Sequence, residues 1–145
     1  MKSGFASLKD VTCKDLRIHA ITKIKSIDKL NFTFLELSEL DENVMNQIFE
    51  INSNLVKRIS ITSFRVEKLE LKFENFPNIQ SIYFPSYRVS ITSLSSNIFN
   101  KLKYIKEIHM KESNLYILEE NSLLLSSNEY VKLYFNNNTI TIDQF

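Results

Sequence analysis

Two histidines, His19 and His109, and a single cysteine, Cys13, are the side chains in this sequence best suited to chemistry. One cysteine cannot form an internal disulfide framework or a multi-cysteine metal site. The histidines lack the HExxH spacing of a zinc site. A Cys13–His19 nucleophile would need a third group to orient the imidazole, and none is evident. We therefore expect no enzyme activity, no catalytic residue, no metal and no cofactor.

Composition excludes further classes of protein. Gly4 is the only glycine, so neither a P-loop nor a GxGxxG turn is present, and no GxSxG motif exists for a serine hydrolase. Glu119 and Glu120 are adjacent carboxylates that we interpret as solvated surface. A net charge of +1 gives no bulk case for nucleic acid, and no apolar run is long enough to cross a membrane. Residues 1–10 lack the apolar segment of an export signal.

A recurring apolar pattern must position any functional side chain. The pattern LxxLxLxxNxL occurs twice near the end of the chain, as Ile105, Ile108, Met110, Ser113, Leu115 and Leu118, and as Tyr130, Leu133, Phe135, Asn138 and Ile140. This is the signature of leucine-rich repeats, whose period is about 20–29 residues. Further repeats can be placed with starts near Ile27, Val56 and Ile79. We predict an α/β fold: a short leucine-rich-repeat horseshoe, or solenoid, with a parallel sheet on its concave face and short helices or 3-10 turns on its convex face.

The pattern also sets element boundaries. Residues 1–26 are expected to form an N-terminal edge or partial cap, with Leu16-Arg17-Ile18 as an incomplete first turn, and residues 27–145 to form the repeats. In the first whole repeat, Leu30 and Phe32 are taken as the paired inward residues. A helix is predicted over 41–53, capped by Asp41 or Glu42.

Position nine of the repeat is usually asparagine, because its amide satisfies backbone groups in the bend. Only Asn138 fits this role; Leu35, Phe64, Tyr87 and Ser113 stand at the other places, so apolar packing must substitute there. The sequence ends at Phe145 without a polar terminal cap. Three explanations stay open: a fragment, which we favour, pairing of this end with another chain in self-association, or disorder of the last turn.

The residues between the inward leucines should form a column on the concave face, because side chains alternate along a strand. That column is predicted to be Asn31, Ser60, Tyr83, His109 and Tyr134, flanked by Arg58, Thr62, Glu107, Lys111, Lys132 and Asn136. Aromatic and charged side chains in one patch are typical of interfaces. The candidate ligand-binding residues are Arg58, Ser60, Tyr83, His109, Lys111 and Tyr134. The competing interpretation is the merely solvated side of a sheet.

The segments Leu115-Tyr116-Ile117-Leu118-Glu119-Glu120-Asn121 and Leu133-Tyr134-Phe135-Asn136-Asn137-Asn138 resemble extracellular leucine-rich-repeat proteins of arthropods. The group they resemble is named after the non-catalytic repeat-bearing subunit of a crustacean luciferase. Val11-Thr12-Cys13 is similar to the end of the N-terminal cap in such proteins. The resemblance implies a secreted or cell-surface binding protein without chemistry of its own. Sequons at Asn31 and Asn137 would accept glycan in an exported protein.

These observations together predict a non-enzymatic recognition module that binds a protein or extended ligand through its concave face. A protein partner is expected, with no nucleic acid and no transmembrane segment. The alternative is a structural or scaffolding fragment of a longer repeat protein, or an accessory subunit of an enzyme.

Overall fold

The computed structural model describes residues 5–21, 23–85, 88–126, 130–135, 138 and 141–142. These residues form an α/β fold in which every strand pairing is parallel. The elements in chain order are β1 (Phe5–Thr12), β2 (Asp15–His19), β3 (Lys23–Asn31), β4 (Phe34–Ser38), α1 (Glu42–Phe49), β5 (Arg58–Leu69), a 3-10 helix (Phe73–Asn75), β6 (Ser81–Phe84), β7 (Val89–Leu94), β8 (Glu107–Met110), β9 (Ile117–Leu118), β10 (Lys132–Tyr134) and β11 (Thr141–Ile142).

One set of strands, which we call the main ladder, runs in the order β2, β4, first half of β5, β6, β8 and β10. Its register aligns equivalent residues of the apolar pattern: Leu35, Ile59, Ile82, Ile108 and Leu133 lie on successive strands. Burial alternates along β2, β4, β6 and β8, and Ile59, Ile61 and Ile82 are fully buried. Leu133 is 39% exposed because, within the described residues, β10 has a ladder neighbour on one side only.

The first predicted repeat was wrong in its register. The inward pair that aligns with Ile59 and Ile61 is Leu35 and Leu37, not Leu30 and Phe32. Both segments have the apolar-x-apolar form, and the sequence alone did not separate them. Asn31 instead ends β3, which pairs with β1 in a separate two-stranded sheet. The Leu16-Arg17-Ile18 strand does align in the main ladder, since β2 pairs with β4.

A second ladder was not anticipated from the sequence. It consists of the second half of β5 followed by β7, β9 and β11. Phe64 and Val66 of β5 align with Val89 and Ile91 of β7, and Leu94 of β7 aligns with Leu118 of β9. In the part of the chain that the structure describes, the segments between main-ladder strands therefore include strands as well as one helix and one 3-10 turn.

The core lies between the ladders and contains a cluster of phenylalanines. Phe49 contacts Phe73 and Phe76 edge to face, with ring centroids 5.1 and 5.4 Å apart, and Phe73 lies 5.6 Å from Phe99. These four rings are buried. They join successive turns of the chain, and such pairs contribute about 0.5–1.5 kcal/mol beyond the area they bury.

Helix α1 begins as predicted, because the Asp41 carboxylate accepts a hydrogen bond of 2.8 Å from the Val44 amide. Its apolar face, which includes Val44, Ile48 and Phe49, is buried against the core. The helix ends at Phe49, four residues earlier than expected. No helix in the described part of the chain is long and apolar enough to cross a membrane.

Asn138 takes the bend role expected of it. Its Oδ1 accepts from the backbone amides of Ser113 and Leu115, each at 3.0 Å, while its Nδ2 donates to the carbonyl oxygens of Met110 and of Phe135. One amide side chain thus satisfies backbone groups in residues 110–115 and at Phe135. Several other bends use left-handed residues other than glycine: Ala20, Glu39, Asn97, Glu112, Asn114 and Asn121.

Candidate binding surface on the main ladder

The outward side chains of the main ladder form a column in strict register. From β2 to β10 the column reads Arg17, Glu36, Ser60, Tyr83, His109 and Tyr134. Glu36 occupies the place predicted for Asn31. Because neighbouring strands are about 4.8 Å apart, flat side chains at equivalent positions can lie face to face. Tyr83 and His109 are stacked with ring centroids 4.5 Å apart, and His109 and Tyr134 at 4.2 Å.

Arg58 extends this stack toward β4. Its guanidinium carbon lies 4.4 Å from the ring centroid of Tyr83 and 5.1 Å from that of Phe34. Both are cation–π contacts, which also fix the orientation of the guanidinium. At the other end, Lys111 Nζ is 5.7 Å from the Tyr134 ring centroid. We call the set Phe34, Arg58, Tyr83, His109, Lys111 and Tyr134 the aromatic row.

Glu107 fixes the centre of the aromatic row from the adjacent column. The Tyr83 hydroxyl donates to Glu107 Oε1, and the Ser81 hydroxyl donates to the same oxygen at 3.3 Å. His109 Nε2 lies 3.2 Å from Glu107 Oε2, within ion-pair distance but without hydrogen-bond geometry. The Tyr83 hydroxyl is the main reason that the pKa of Glu107 is lowered. Burial, followed by the bond to Glu107, raises the pKa of the Tyr83 phenol.

The two ends of the surface differ in charge. Toward β2, Arg17 and Glu36 approach to 3.8 Å, and His19 and Glu39 to 4.0 Å, so that acids and bases alternate. From β5 to β10, the exposed cations include Arg58, Lys111 and Lys132. None of these three has a carboxylate within ion-pair distance among the residues that the structure describes.

The structure therefore brings the predicted ligand-binding residues together, except that Ser60 is buried. Arg58, Tyr83, His109, Lys111 and Tyr134 form one continuous group, whereas Ser60 lies in the column but is buried. Sequence reasoning missed Phe34, whose place beside Arg58 depends on the corrected register. Asn31 is exposed at the end of β3. The predictions for Tyr87, Asn136 and Asn137 lie outside the described residues.

The remaining reactive side chains do not assemble into a site. His19 lies on β2 and His109 on β8, and no cluster of metal-ligating side chains occurs in the described ranges. Cys13 is a free thiol, half-buried against the core. Glu119 is held by Lys68 at 2.8 Å and by the Ser96 amide at 3.1 Å, and the Lys68 contact lowers its pKa.

A cleft of about 340 Å³ lies between α1 and the second half of β5. Phe49 and Phe64 are in its floor, but both are buried and offer little surface to a ligand. Two lysines at its rim are already neutralised, since Lys72 pairs with Glu50 at 2.7 Å and Lys68 with Glu119. The aromatic row therefore offers the better contact surface.

Comparison of the chain with protein-family models, with curated proteins and with solved structures finds no match.

Proposed function

We propose that this protein is a recognition module of the leucine-rich-repeat type. Its main ladder would be the concave sheet of a short solenoid, and it would bind a protein or other extended ligand through the outward column. The observation that carries the proposal is the aromatic row, in which Tyr83, His109 and Tyr134 are stacked between cations on the solvent side of a parallel ladder.

Side-chain type supports a binding role. Tyrosine and arginine are enriched among the residues that dominate binding energy, because they bury much area and still offer hydrogen bonds. A merely solvated sheet face does not need three rings in contact.

Pre-organisation supports it as well. Stacking and the bond from Tyr83 to Glu107 hold these side chains in one arrangement before any partner arrives. Ordering a flexible side chain at an interface costs about 0.5–1.5 kcal/mol, so a surface already ordered loses less on binding.

The test is selection from a displayed library of random peptides of about 12 residues on the immobilised protein, since an extended peptide of that length would span the ladder. Selected peptides are then measured against a double variant, Tyr83→Ala with Tyr134→Ala. The matched control changes two exposed tyrosines outside the row, Tyr104→Ala with Tyr116→Ala. Recognition predicts that the first variant folds with a lowered melting temperature and loses binding at a temperature where it is folded, whereas the control retains binding.

The alternative is a scaffold in which the stacked rings serve only to hold turns together. That role predicts that the double variant fails to fold and that no selected peptide depends on the row. Since stacked rings also stabilise the sheet, Tyr134→Ala with Lys111→Ala is a milder second variant at the exposed end. Peptides that bind this folded variant as well as they bind the native protein overturn the proposal.

A further inference from the structure

The charge on the aromatic row is not balanced within the molecule. Arg58 projects from β5, Lys132 from β10 and Lys111 from the end of β8; the carboxylates near them are Glu107 and Glu112, and Glu112 already has a partner of its own. Glu107 already accepts hydrogen bonds from Tyr83 and Ser81 and lies beside His109. Positive charge is therefore what the surface from β5 to β10 offers to a partner, whereas near β2 the Arg17 guanidinium is compensated by Glu36.

The arrangement of the aromatic rings further restricts the chemical class of ligand that this surface can bind. One face of Tyr83 is covered by Arg58 and one lies against His109, while His109 itself lies between two tyrosines. In proteins that bind single-stranded nucleic acid, the bases stack on free faces of aromatic side chains. Here both faces of Tyr83 and of His109 are used internally, and ammonium groups and a guanidinium are left to act as donors. Such groups suit anionic oxygen acceptors rather than bases.

The spacing of the cations fits an extended polypeptide. Arg58 and Lys132 occupy equivalent positions on β5 and β10, three strand steps apart, which is about 14 Å at the usual interstrand distance. An extended chain advances about 3.3 Å per residue, so four or five residues cover this distance. Carboxylates within a stretch of that length can reach both ends. Lys111 lies past the end of β8, four residues beyond the Glu107 position that aligns with Arg58 and Lys132, so about four further residues of the segment bring a carboxylate there.

We infer that the ligand of this surface is an acidic, extended protein segment that crosses strands β5, β6, β8 and β10, with its carboxylates at Arg58, Lys111 and Lys132. The inference rests on the proposed recognition function and adds the chemical class of the partner. Charge complementarity of this kind acts on specificity and on the rate of association.

The experiment uses the peptides selected from the random library, synthesised with a fluorescent label and measured by anisotropy. The expected selected peptides carry net negative charge. Lys111→Glu with Lys132→Glu should weaken their binding about tenfold or more, since each exposed pair is replaced by repulsion. Lys101→Glu with Lys103→Glu, at exposed positions outside the ladders, makes the same change in net charge and should alter affinity by less than about twofold.

Two further measurements distinguish a loss of charge attraction from a loss of folding: the salt dependence of binding, and the affinity of a variant with neutral side chains. Raising NaCl from about 0.05 to 0.5 M should weaken binding to the native protein, because exposed charges are screened. Lys111→Gln with Lys132→Gln should weaken it by an intermediate factor without introducing repulsion. Melting curves of all variants should match that of the native protein.

The outcomes separate this inference from the function on which it rests. Selected peptides that need Tyr83 and Tyr134 but are neutral or basic, or that ignore the lysine changes, overturn the acidic partner and leave recognition standing. Peptides that ignore the tyrosine changes, or a selection that yields none, overturn recognition and the inference together. Tighter binding of heparin or of single-stranded oligothymidylate at the same lysines would show that the ligand class is not polypeptide.

Discussion

The hydroxyl of Tyr83 on β6 donates a hydrogen bond to the carboxylate of Glu107 on the adjacent strand β8. This bond joins the aromatic row to the neighbouring column and fixes the ring that contacts both Arg58 and His109. Its strength depends on the ionised form of Glu107. The arrangement of the surface and its response to pH are therefore linked.

Replacing Tyr83 by Phe removes the bond while keeping the ring. We expect the free energy of unfolding at pH 7 to fall by about 1 kcal/mol, a typical value for a partly exposed hydrogen bond to a charged acceptor. The folded-state pKa of Glu107 lies below its ordinary value of 4.5. A lowered carboxylate pKa stabilises the fold above the unfolded value, and this stabilisation is lost as the pH falls through the folded value.

The difference between the native protein and Tyr83→Phe should therefore shrink as the pH is lowered from about 6 to about 3.5, in denaturant titrations at each pH. Tyr116→Phe is the matched control, since that exposed tyrosine lies outside the main ladder, and its small effect should not change with pH. A difference for Tyr83→Phe that is constant over this range would contradict the linkage.

Asn138→Ala should destabilise the protein by about 2 kcal/mol, because the backbone amides of Ser113 and Leu115 lose their acceptor in a partly buried bend. Asn78 provides the comparison, since its amide donates to the Asn54 carbonyl in an exposed position at 2.7 Å. Asn78→Ala is expected to cost less than about 0.5 kcal/mol. Equal losses for the two variants in chemical denaturation would contradict the bend role of Asn138.

Phe73 contacts both Phe49 and Phe99 and is fully buried, so it joins three segments of the chain in the core. Phe73→Ala should lower the free energy of unfolding by about 3–5 kcal/mol, the usual cost of removing a buried ring. Leu124→Ala, at a side chain that is half exposed, should change it by less than about 0.5 kcal/mol. Thermal and urea unfolding would both measure the change in the free energy of unfolding. Similar changes for the two variants would contradict the central place of Phe73 in the core.

Ala20 has a φ of 51° in the bend after β2, a left-handed conformation that costs roughly 1 kcal/mol for residues with a Cβ atom. Ala20→Gly should relieve that cost and raise the melting temperature. In contrast, Asn46→Gly at an exposed position within α1 should lower it, because glycine is unfavourable inside a helix. Destabilisation by both substitutions would mean that the bend at Ala20 is not strained.

The apolar period predicted the alignment of Ile59, Ile82, Ile108 and Leu133, because inward residues must recur at equivalent places when strands stack. The cap of α1 at Asp41 and the bend role of Asn138 were predictable for a similar reason, since both are local hydrogen-bonding requirements. The first repeat was not predictable, because Leu30-Asn31-Phe32 and Leu35-Glu36-Leu37 satisfy the same pattern five residues apart. Which of them joins the ladder depends on long-range pairing.

The aromatic row was predictable as a set of residues and not as an arrangement. Register placed Tyr83, His109 and Tyr134 side by side, but their stacking depends on side-chain rotamers that a sequence does not specify. The position of Arg58 between Phe34 and Tyr83 required the corrected register of β4. The second ladder escaped prediction because the repeat pattern assigns helices or 3-10 turns to that side, although β7 (Val89–Leu94) begins with alternating apolar and polar residues, as a strand does.

Strand β5 belongs to both ladders: residues at its start pair with β4 and β6, and residues at its end pair with β7. A slip of one residue along a strand exchanges its inward and outward side chains. In β5 such a slip would exchange the inward and outward side chains of both ladders together and would turn Ile59, which is fully buried, toward water. The register of β5 therefore sets the register of both ladders, and an error in its pairing during folding would affect both of them.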